Sequence, residues 1–347
     1  MTNINFEKCL ELLSWMKDKV QNIVILTHAN PDGDALGSSL GLNCVLKNAG
    51  FNSTVVFPTN FPQILPGLKE YDDWIIFEQN VRKAGQLFSK ADLLIMLDFN
   101  DLKRLGKMKS KVENLNKTIV LIDHHPQPLI VTPYLFSDIR VSSTAELVYD
   151  FIVKMGWEKL LDAPGASALL TGIIADTASF SHNARRPELY KATANLIEHG
   201  ADQYRIQEAL FNTNTEDRLR LLGFALSEKM QIFPEYHTAV IALSAEELRR
   251  YNFKIGDTEG FVNYPLSIKG IVFSSFFMEN DDKIKISFRS KGGFAVNEFS
   301  ASHFSGGGHR NASGGESRKS LAEAINQLIG LLPQYAGILE EESQKEA

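Results

Sequence analysis

Residues 119–125 read IVLIDHH, a short apolar run that ends in an acid and two histidines. Two further apolar runs, IVIL at 23–26 and LLIML at 93–97, lead into THANPDGD at 27–34 and into Asp98. Short, entirely apolar runs favour strands that are covered on both faces, as in parallel sheets. Because the carboxyl ends of parallel strands meet at one edge of a sheet, we expect these acids and histidines to lie together.

The first part of the chain, to about residue 200, alternates between strand-like and helix-like segments. The expected strands fall at 22–27, 53–57, 92–97 and 117–122. This alternation predicts the α/β class, with a doubly wound and mainly parallel sheet. Ligands bind beyond the carboxyl ends of the strands in such sheets.

The pattern changes after this domain, so we predict three segments. A catalytic domain is expected at 1–212, a linker helix at 213–230 and a smaller α/β domain at 231–347. Within the last segment a helix is expected at 257–266. The charged tail from about residue 336 is expected to fray.

Composition limits the possible functions. The chain has 347 residues, 44% of them hydrophobic, and no apolar run as long as a membrane span, so we expect no membrane partner. The two cysteines, Cys9 and Cys44, lie in helical patterns, which favours free thiols and a cytoplasmic location. The net charge of −6 argues against binding long duplex nucleic acid. It does not exclude a small phosphorylated ligand, since metal ions can neutralise carboxylates.

The turn at 27–34 offers one histidine and two carboxylates that can converge on one point. His28, Asp32 and Asp34 form a mixed nitrogen and oxygen donor set, which suits Mn²⁺, Fe²⁺, Co²⁺ or Zn²⁺ better than Mg²⁺. The alternative is that Asp32 or Asp34 caps the helix starting near Ala35, and that His28 has no role.

The other candidates allow alternatives too. Asp98 alone suits a turn or a cap as well as a metal. The adjacent side chains of His124 and His125 cannot point the same way, so one can bind metal while the other faces a substrate. Asp123 can orient a metal-binding histidine, although a polar turn also explains the triplet. Asp176 ends an apolar helical stretch, where either a metal or a helix cap would offset the cost of burial.

Together these motifs resemble those of the DHH phosphoesterase superfamily. The resemblance lies in HxxPDGDALGS at 28–38, the lone Asp98, the DHH triplet at 123–125 and TGIxxDT at 171–177. GGGHxxASGG at 306–315 is similar to the nucleotide-binding domain associated with that family. Within that family, this two-domain chain without membrane segments is similar to the cytosolic oligoribonuclease and pAp phosphatase (nanoRNase) type. The chain departs from the family pattern at Ser305 and Ser313, away from the proposed ligands.

The resemblance implies two divalent cations, Mn²⁺ by preference, with Mg²⁺ or Co²⁺ as options. It assigns His28, Asp32 and Asp98 to one ion, and Asp34, Asp98, His124 and Asp176 to the other. Asp98 would bridge the ions, Asp123 would support them, and His125 would donate a hydrogen bond to a phosphate oxygen. In the second domain the implied substrate-binding residues are Arg289, Ser290, Gly306, Gly307, Gly308 and His309.

Elementary chemistry independently supports the second-domain residues. Consecutive glycines allow backbone N–H groups to approach an anion, and the guanidinium of Arg289 matches a phosphate. A flexible loop and a solvated strand arginine are the alternatives.

The expected reaction is hydrolysis of a phosphoester by a metal-activated water. The expected substrate is short RNA or the 3′,5′-bisphosphate nucleotide pAp. Pyrophosphate or polyphosphate and linear or cyclic dinucleotides are the alternative substrates. A non-catalytic nucleotide-binding protein is a further alternative, and a homodimer is left open.

Overall fold

The computed structural model describes residues 5–61, 71, 73–280 and 282–346. Close contacts divide the chain into two compact units, Met1–Thr213 and Asn214–Ala347. Among the described residues, no helix combines the length and apolar content that crossing a membrane requires.

The described residues of the first unit form a sheet of six strands, all parallel, in the order β3-β2-β1-β4-β5-β6. The strands are β1 (Asn22–Leu26), β2 (Asn52–Phe57), β3 (Trp74–Ile76), β4 (Leu93–Leu97), β5 (Thr118–Asp123) and β6 (Tyr134–Ser137). The helices are α1 (Phe6–Lys19), α2 (Gly33–Asn48), α3 (Val81–Lys90), α4 (Lys109–Val112), α5 (Thr144–Lys154), α6 (Ala163–Asp176), α7 (Pro187–Glu198) and α8 (Gln203–Phe211). The predicted α/β class with a mainly parallel sheet is confirmed.

Alternate residues of the central strands enter two different apolar cores. In β1, Ile23 and Ile25 belong to one core, whereas Val24 and Leu26 belong to the other. Both faces of the sheet are therefore covered, which explains why β1, β4 and β5 are apolar without alternation.

Helix α2 packs directly on helix α6, and glycines permit the close approach. A Cβ atom on Gly37 would lie 2.4 Å from the carbonyl oxygen of Ala168. A Cβ atom on Gly172 would lie 2.6 Å from the Cβ of Ala145 and 2.9 Å from Oδ1 of Asp34. This packing fixes the position of Asp34, near the start of α2, relative to Asp176, at the end of α6.

The second unit contains a mixed sheet of six strands in the order β11-β12-β10-β9-β8-β7. Strands β8 and β9 are parallel, and the other neighbours are antiparallel. The strands are β7 (Met230–Phe233), β8 (Thr238–Leu243), β9 (Phe273–Asn280), β10 (Lys283–Ser290), β11 (Gly307–His309) and β12 (Ala312–Ser317). The helices are α9 (Glu216–Ser227), α10 (Ala245–Arg250), α11 (Val296–His303) and α12 (Leu321–Glu346).

The linker role predicted for residues 213–230 stays a prediction. In the structure this segment contains helix α9, whose Leu221, Leu222 and Ala225 lie in an apolar core of the second unit.

Two predictions about the second unit are wrong. Residues 257–266 do not form an α-helix; a short 3₁₀ segment covers Phe261–Ser267 instead. Gly256 and Gly260 have φ angles of 104° and 82°, which an α-helix does not contain, and Pro265 has no N–H to donate.

The tail does not fray from residue 336, because α12 continues to Glu346. Leu339 is fully buried in an apolar core. The carboxylate of Glu342 accepts a hydrogen bond of 2.7 Å from the backbone N–H of Gly293. These tertiary contacts hold the last turns.

Candidate metal centre

Acidic and histidine side chains gather where the strands of the first unit end. His28 lies two residues after β1, Asp98 follows β4, and Asp123 is the last residue of β5. Helix α2 contributes Asp34 in its first turn, and α6 contributes its last residue, Asp176. The parallel sheet thus brings together the side chains that the strand pattern indicated.

The first group joins His28, Asp32 and Asp98, and its donor atoms all lie within 4.8 Å of one another. His28 Nε2 lies 3.4 Å from Asp98 Oδ2 and 3.8 Å from Asp32 Oδ2. The ring's Nδ1 lies 2.9 Å from the carbonyl oxygen of Ala29, so Nδ1 carries the proton and donates it. Nε2 faces the carboxylates, and this buried atom has no hydrogen-bond partner. An orphaned nitrogen of this kind fits a metal ligand.

Asp32 combines the two roles that the sequence left as alternatives. Its Oδ1 accepts hydrogen bonds of 3.1 Å from the backbone N–H groups of Asp34 and Ala35, which caps helix α2. Its Oδ2 faces His28. The cap therefore holds the carboxylate in the orientation that a metal ligand would need.

The second group joins Asp34, His124 and Asp176. His124 Nε2 lies 3.4 Å from Asp176 Oδ2, 3.7 Å from Asp98 Oδ1 and 4.0 Å from Asp34 Oδ2. Asp98 thus directs Oδ2 towards the first group and Oδ1 towards the second. The geometry is consistent with the shared-ligand role implied for Asp98.

The two histidines of the DHH triplet diverge, with ring planes 79° apart. His125 Nδ1 donates a hydrogen bond of 2.7 Å to Asp123 Oδ1. Asp123 therefore orients His125, the histidine that the resemblance assigns to the phosphate; the separate roles of the two histidines stay a prediction. Asp98, His124 and His125 also form a compact trio, so the structure places His125 beside the shared carboxylate.

Thr144 is a site residue that the sequence analysis missed. Its backbone N–H donates a hydrogen bond of 2.6 Å to Asp34 Oδ2, and its hydroxyl donates one of 2.9 Å to Asp98 Oδ1. A signal was present in Ser143-x-x-Glu146, a pattern typical of a helix N-terminus.

The carboxylates are crowded; Asp34, Asp98 and Asp123 are buried, whereas Asp176 is half-buried and Asp32 is exposed. Burial, and then the charges of Asp98 and other acids, raise the pKa of Asp34 and of Asp176 well above the usual range. Burial also acts to raise the pKa of Asp98, but the close contact with His28 and the charge of that ring hold it below its usual value. Burial opposes the charged form of His28, yet Asp32 and Asp98 raise its pKa to about 10. Bound cations would relieve this repulsion, so the donor set fits divalent metal.

The second unit places Arg289 and His309 in one row across its sheet. Arg289 on β10 pairs with Ala312 on β12, which in turn pairs with His309 on β11. Burial lowers the pKa of the Arg289 guanidinium, which donates a 2.9 Å hydrogen bond to the carbonyl of Phe288. Ser290 is buried, and its hydroxyl donates to the carbonyl of Phe294 at 2.6 Å.

The three glycines are not equivalent. A Cβ on Gly306 would lie 2.0 Å from the carbonyl oxygen of Gly314, and one on Gly308 would lie 2.7 Å from that of Ala312. Both are therefore required for the packing of β11. Around Gly307 nothing lies within 4 Å of a Cβ, so only this glycine borders open space. Substrate binding by these residues stays a prediction.

Two family models match this chain, one in each of its two units. The DHH family, N-terminal domain, matches residues 22–173, and the DHHA1 domain matches residues 237–337. The bifunctional oligoribonuclease and PAP phosphatase NrnA of Thermus thermophilus is 29% identical over 84% of this chain and 83% of its own length. The cyclic-di-AMP phosphodiesterase GdpP of Bacillus subtilis is 27% identical over 90% of this chain but 48% of its own length.

A crystal structure of an exopolyphosphatase-related protein from Bacteroides fragilis is also similar. It superposes with a TM-score of 0.94 at 37% sequence identity, covering 98% of this chain and 99% of that one. Motifs, topology and relatives agree: the chain belongs to the DHH superfamily of phosphoesterases, in the two-domain type that combines a DHH domain with a DHHA1 domain.

Proposed function

We propose that this phosphoesterase hydrolyses short oligoribonucleotides and the 3′,5′-bisphosphate nucleotide pAp, using two divalent cations, preferably Mn²⁺. The observation that carries the proposal is the pair of donor groups that share Asp98, one oxygen of which faces each group. The Thermus relative named oligoribonuclease and PAP phosphatase supports the substrate class, because the match spans both domains.

The donor types support the proposed metal. Each group combines one imidazole with two carboxylates. Mixed nitrogen and oxygen ligands suit Mn²⁺ or Co²⁺, whereas Mg²⁺ usually keeps an oxygen shell. His28, Asp32 and Asp98 would hold one ion, and Asp34, Asp98, His124 and Asp176 the other.

The residues of the chain would orient the reaction. Bound cations would acidify a water and neutralise charge on the substrate phosphate. Asp98 is held between the groups, so its oxygens are positioned before any substrate binds. Asp123 holds one proton of His125 at Nδ1. Burial opposes the charged ring, but the hydrogen bond to Asp123 raises the pKa of His125, so the protonated ring can donate from Nε2 to a phosphate oxygen. A contact that strengthens as negative charge grows on that oxygen would stabilise the transition state.

In the second unit Arg289 and the 306–309 segment would bind the nucleotide. A half-buried guanidinium that already donates one bond to backbone retains further N–H groups for a phosphate. Gly307, which borders open space, is the position where an anion can approach the backbone of β11.

A cyclic or linear dinucleotide is the second candidate substrate. The relative named cyclic-di-AMP phosphodiesterase shares the matched region, but that region is only 48% of its length. The relation to the whole of that enzyme is therefore weaker than to the oligoribonuclease.

The test compares kcat/KM for pAp, a ribodinucleotide, a long oligoribonucleotide, cyclic di-AMP and pyrophosphate, with Mn²⁺, Co²⁺ and Mg²⁺ in turn. We expect the highest values for pAp and the dinucleotide, with Mn²⁺. A clear preference for cyclic di-AMP or pyrophosphate would overturn the substrate assignment, and hydrolysis unaffected by chelator would overturn the metal assignment.

A further inference from the structure

The N-terminus of helix α5 contacts two of the acids that the proposed function makes metal ligands. Backbone N–H groups of Thr144 and Ala145 donate to Asp34 Oδ2 and Oδ1, at 2.6 and 2.8 Å. The hydroxyl of Thr144 donates to Asp98 Oδ1 at 2.9 Å. One residue therefore fixes acids that come from different elements, helix α2 and the end of strand β4.

The hydrogen bonds that Thr144 donates to Asp34 and Asp98 are both shielded from water. Thr144 is completely buried, and Asp34 and Asp98 are 1% and 2% exposed. A buried carboxylate that loses a donor regains no bond to solvent, so each contact strongly restricts the carboxylate's orientation. Asp98 also has a φ angle of 66°, which is rare outside glycine and persists only where surrounding contacts enforce it.

A second layer of contacts fixes Thr144 itself. The side chain of Ser143 caps α5 by accepting from the N–H of Glu146. The buried carboxylate of Glu146 accepts from the N–H and hydroxyl of Ser142, at 2.7 and 2.9 Å, and pairs with Arg186 at 3.0 Å. The hydrogen bonds of Ser142 and Ser143 with Glu146 therefore fix the segment 142–144 before any ligand binds.

We propose that Thr144 is a positioning residue of the metal centre, whose hydroxyl sets the orientation of the shared carboxylate of Asp98. The inference rests on the proposed two-cation function. It assigns Thr144 no contact with substrate or metal. The hydroxyl occupies one lone pair of Asp98 Oδ1. The remaining lone pairs of the carboxylate would be directed towards the two cations.

The variants Thr144→Val and Thr144→Ser separate this role from simple packing. Valine has nearly the same shape and keeps the backbone N–H, so only the hydroxyl is lost. Serine keeps the hydroxyl and loses a methyl group. Thr193→Val is the matched control: that buried hydroxyl donates to the carbonyl of Leu189 within its own helix, α7.

The first readout is the affinity of the chelator-stripped full chain for Mn²⁺ alone, measured by titration calorimetry. We expect Thr144→Val to bind Mn²⁺ about 10- to 100-fold more weakly, the usual effect of losing a residue that orients a metal ligand. Thr144→Ser and Thr193→Val should bind as the wild type does. With pAp the kcat of Thr144→Val should fall while KM stays unchanged, since no substrate contact is removed.

Unchanged Mn²⁺ affinity in a folded Thr144→Val protein overturns the inference, as does failure of serine to restore it. If valine prevents folding, Thr144→Ala removes the same hydroxyl without an added methyl, and the same expectation applies. The proposed function fails separately: a wild type that hydrolyses none of the substrates, yet loses Mn²⁺ affinity on Thr144→Val, refutes that function and supports the positioning role.

Discussion

Asp98 is the residue whose carboxylate faces both donor groups. Its Oδ2 lies 3.4 Å from His28 Nε2 and its Oδ1 lies 3.7 Å from His124 Nε2. Asp98→Ala removes both contacts, so we expect kcat/KM for pAp to fall by more than about 100-fold, the upper range for loss of a merely supporting residue. Asp73→Ala, which removes an exposed carboxylate paired with Lys47, is the control. Near wild-type turnover of Asp98→Ala would refute the shared-ligand role.

His28 should make the stability of the metal-free protein depend on pH. Asp32 and Asp98 raise its pKa from 6.5 to about 10 in the folded state. A raised pKa stabilises the fold fully below pH 6.5, and this contribution is lost as the pH rises from 6.5 to about 10. Thermal melts of chelator-treated protein should show Tm falling across this window, and His28→Gln should reduce the fall. Saturating Mn²⁺ should abolish it, because a bound histidine is deprotonated at all these pH values.

Arg289 should contribute to substrate binding and not to the reaction itself. Loss of a charged hydrogen bond costs about 1.5–3 kcal/mol, so Arg289→Ala should raise KM for pAp roughly 10- to 100-fold. A small chromogenic phosphodiester without a nucleotide should be hydrolysed as before. Lys285→Ala, an exposed residue of the same strand, is the control. Equal loss on both substrates would contradict the separation of binding from chemistry.

At the scale of elements, the close packing of α2 on α6 positions Asp34 in the proposed metal centre. Gly172→Ala places a methyl group 2.6 Å from Ala145 and 2.9 Å from Asp34 Oδ1. We expect it to cost about 1–3 kcal/mol of folding free energy through overpacking. It should also weaken Mn²⁺ binding, because Asp34 must move.

Gly85→Ala in α3 is the matched control for that change. It has nothing within 4 Å of the added methyl group, so it should raise stability by about 0.5–1 kcal/mol. Urea denaturation of both variants measures the difference. Similar stability of the two alanine variants would show that the neighbours of Gly172 in α2 and α5 can shift without cost.

Elements with strong local signals were predictable from sequence, and those defined by tertiary contacts were not. The buried runs at β1, β2, β4 and β5 were placed to within one residue at each end. Strands β3 and β6 have three and four residues, too few for a pattern. Helix α12 continues through a charged tail because Leu339 is buried in the core of the unit and Glu342 accepts a hydrogen bond from Gly293.

The same limit applied within the site. Histidines and acids at strand ends were visible because residue type and position coincide there. The pairing of Asp123 with His125 was not predictable from the sequence. Neighbouring side chains point in alternate directions, and the backbone conformation decides which histidine contacts Asp123. Thr144 comes from a helix distant in sequence from Asp34 and Asp98, so no local spacing could reveal its contacts.

At the scale of the whole molecule, the two units have separate apolar cores. All proposed metal ligands lie in the first unit, residues Met1–Thr213. Units with their own cores need not unfold as one, and a ligand stabilises only the state that binds it. At a concentration 100 times its Kd, a cation adds about 2.7 kcal/mol.

We therefore expect calorimetry of the metal-free chain to show two unfolding transitions. Added Mn²⁺ should raise the midpoint temperature of one and leave that of the other unchanged. Asp98→Ala, which lacks the shared ligand, should keep both transitions fixed when Mn²⁺ is added. Equal shifts of both transitions would mean that the units unfold together. A shift that persists in Asp98→Ala would show that the cation binds without the shared carboxylate.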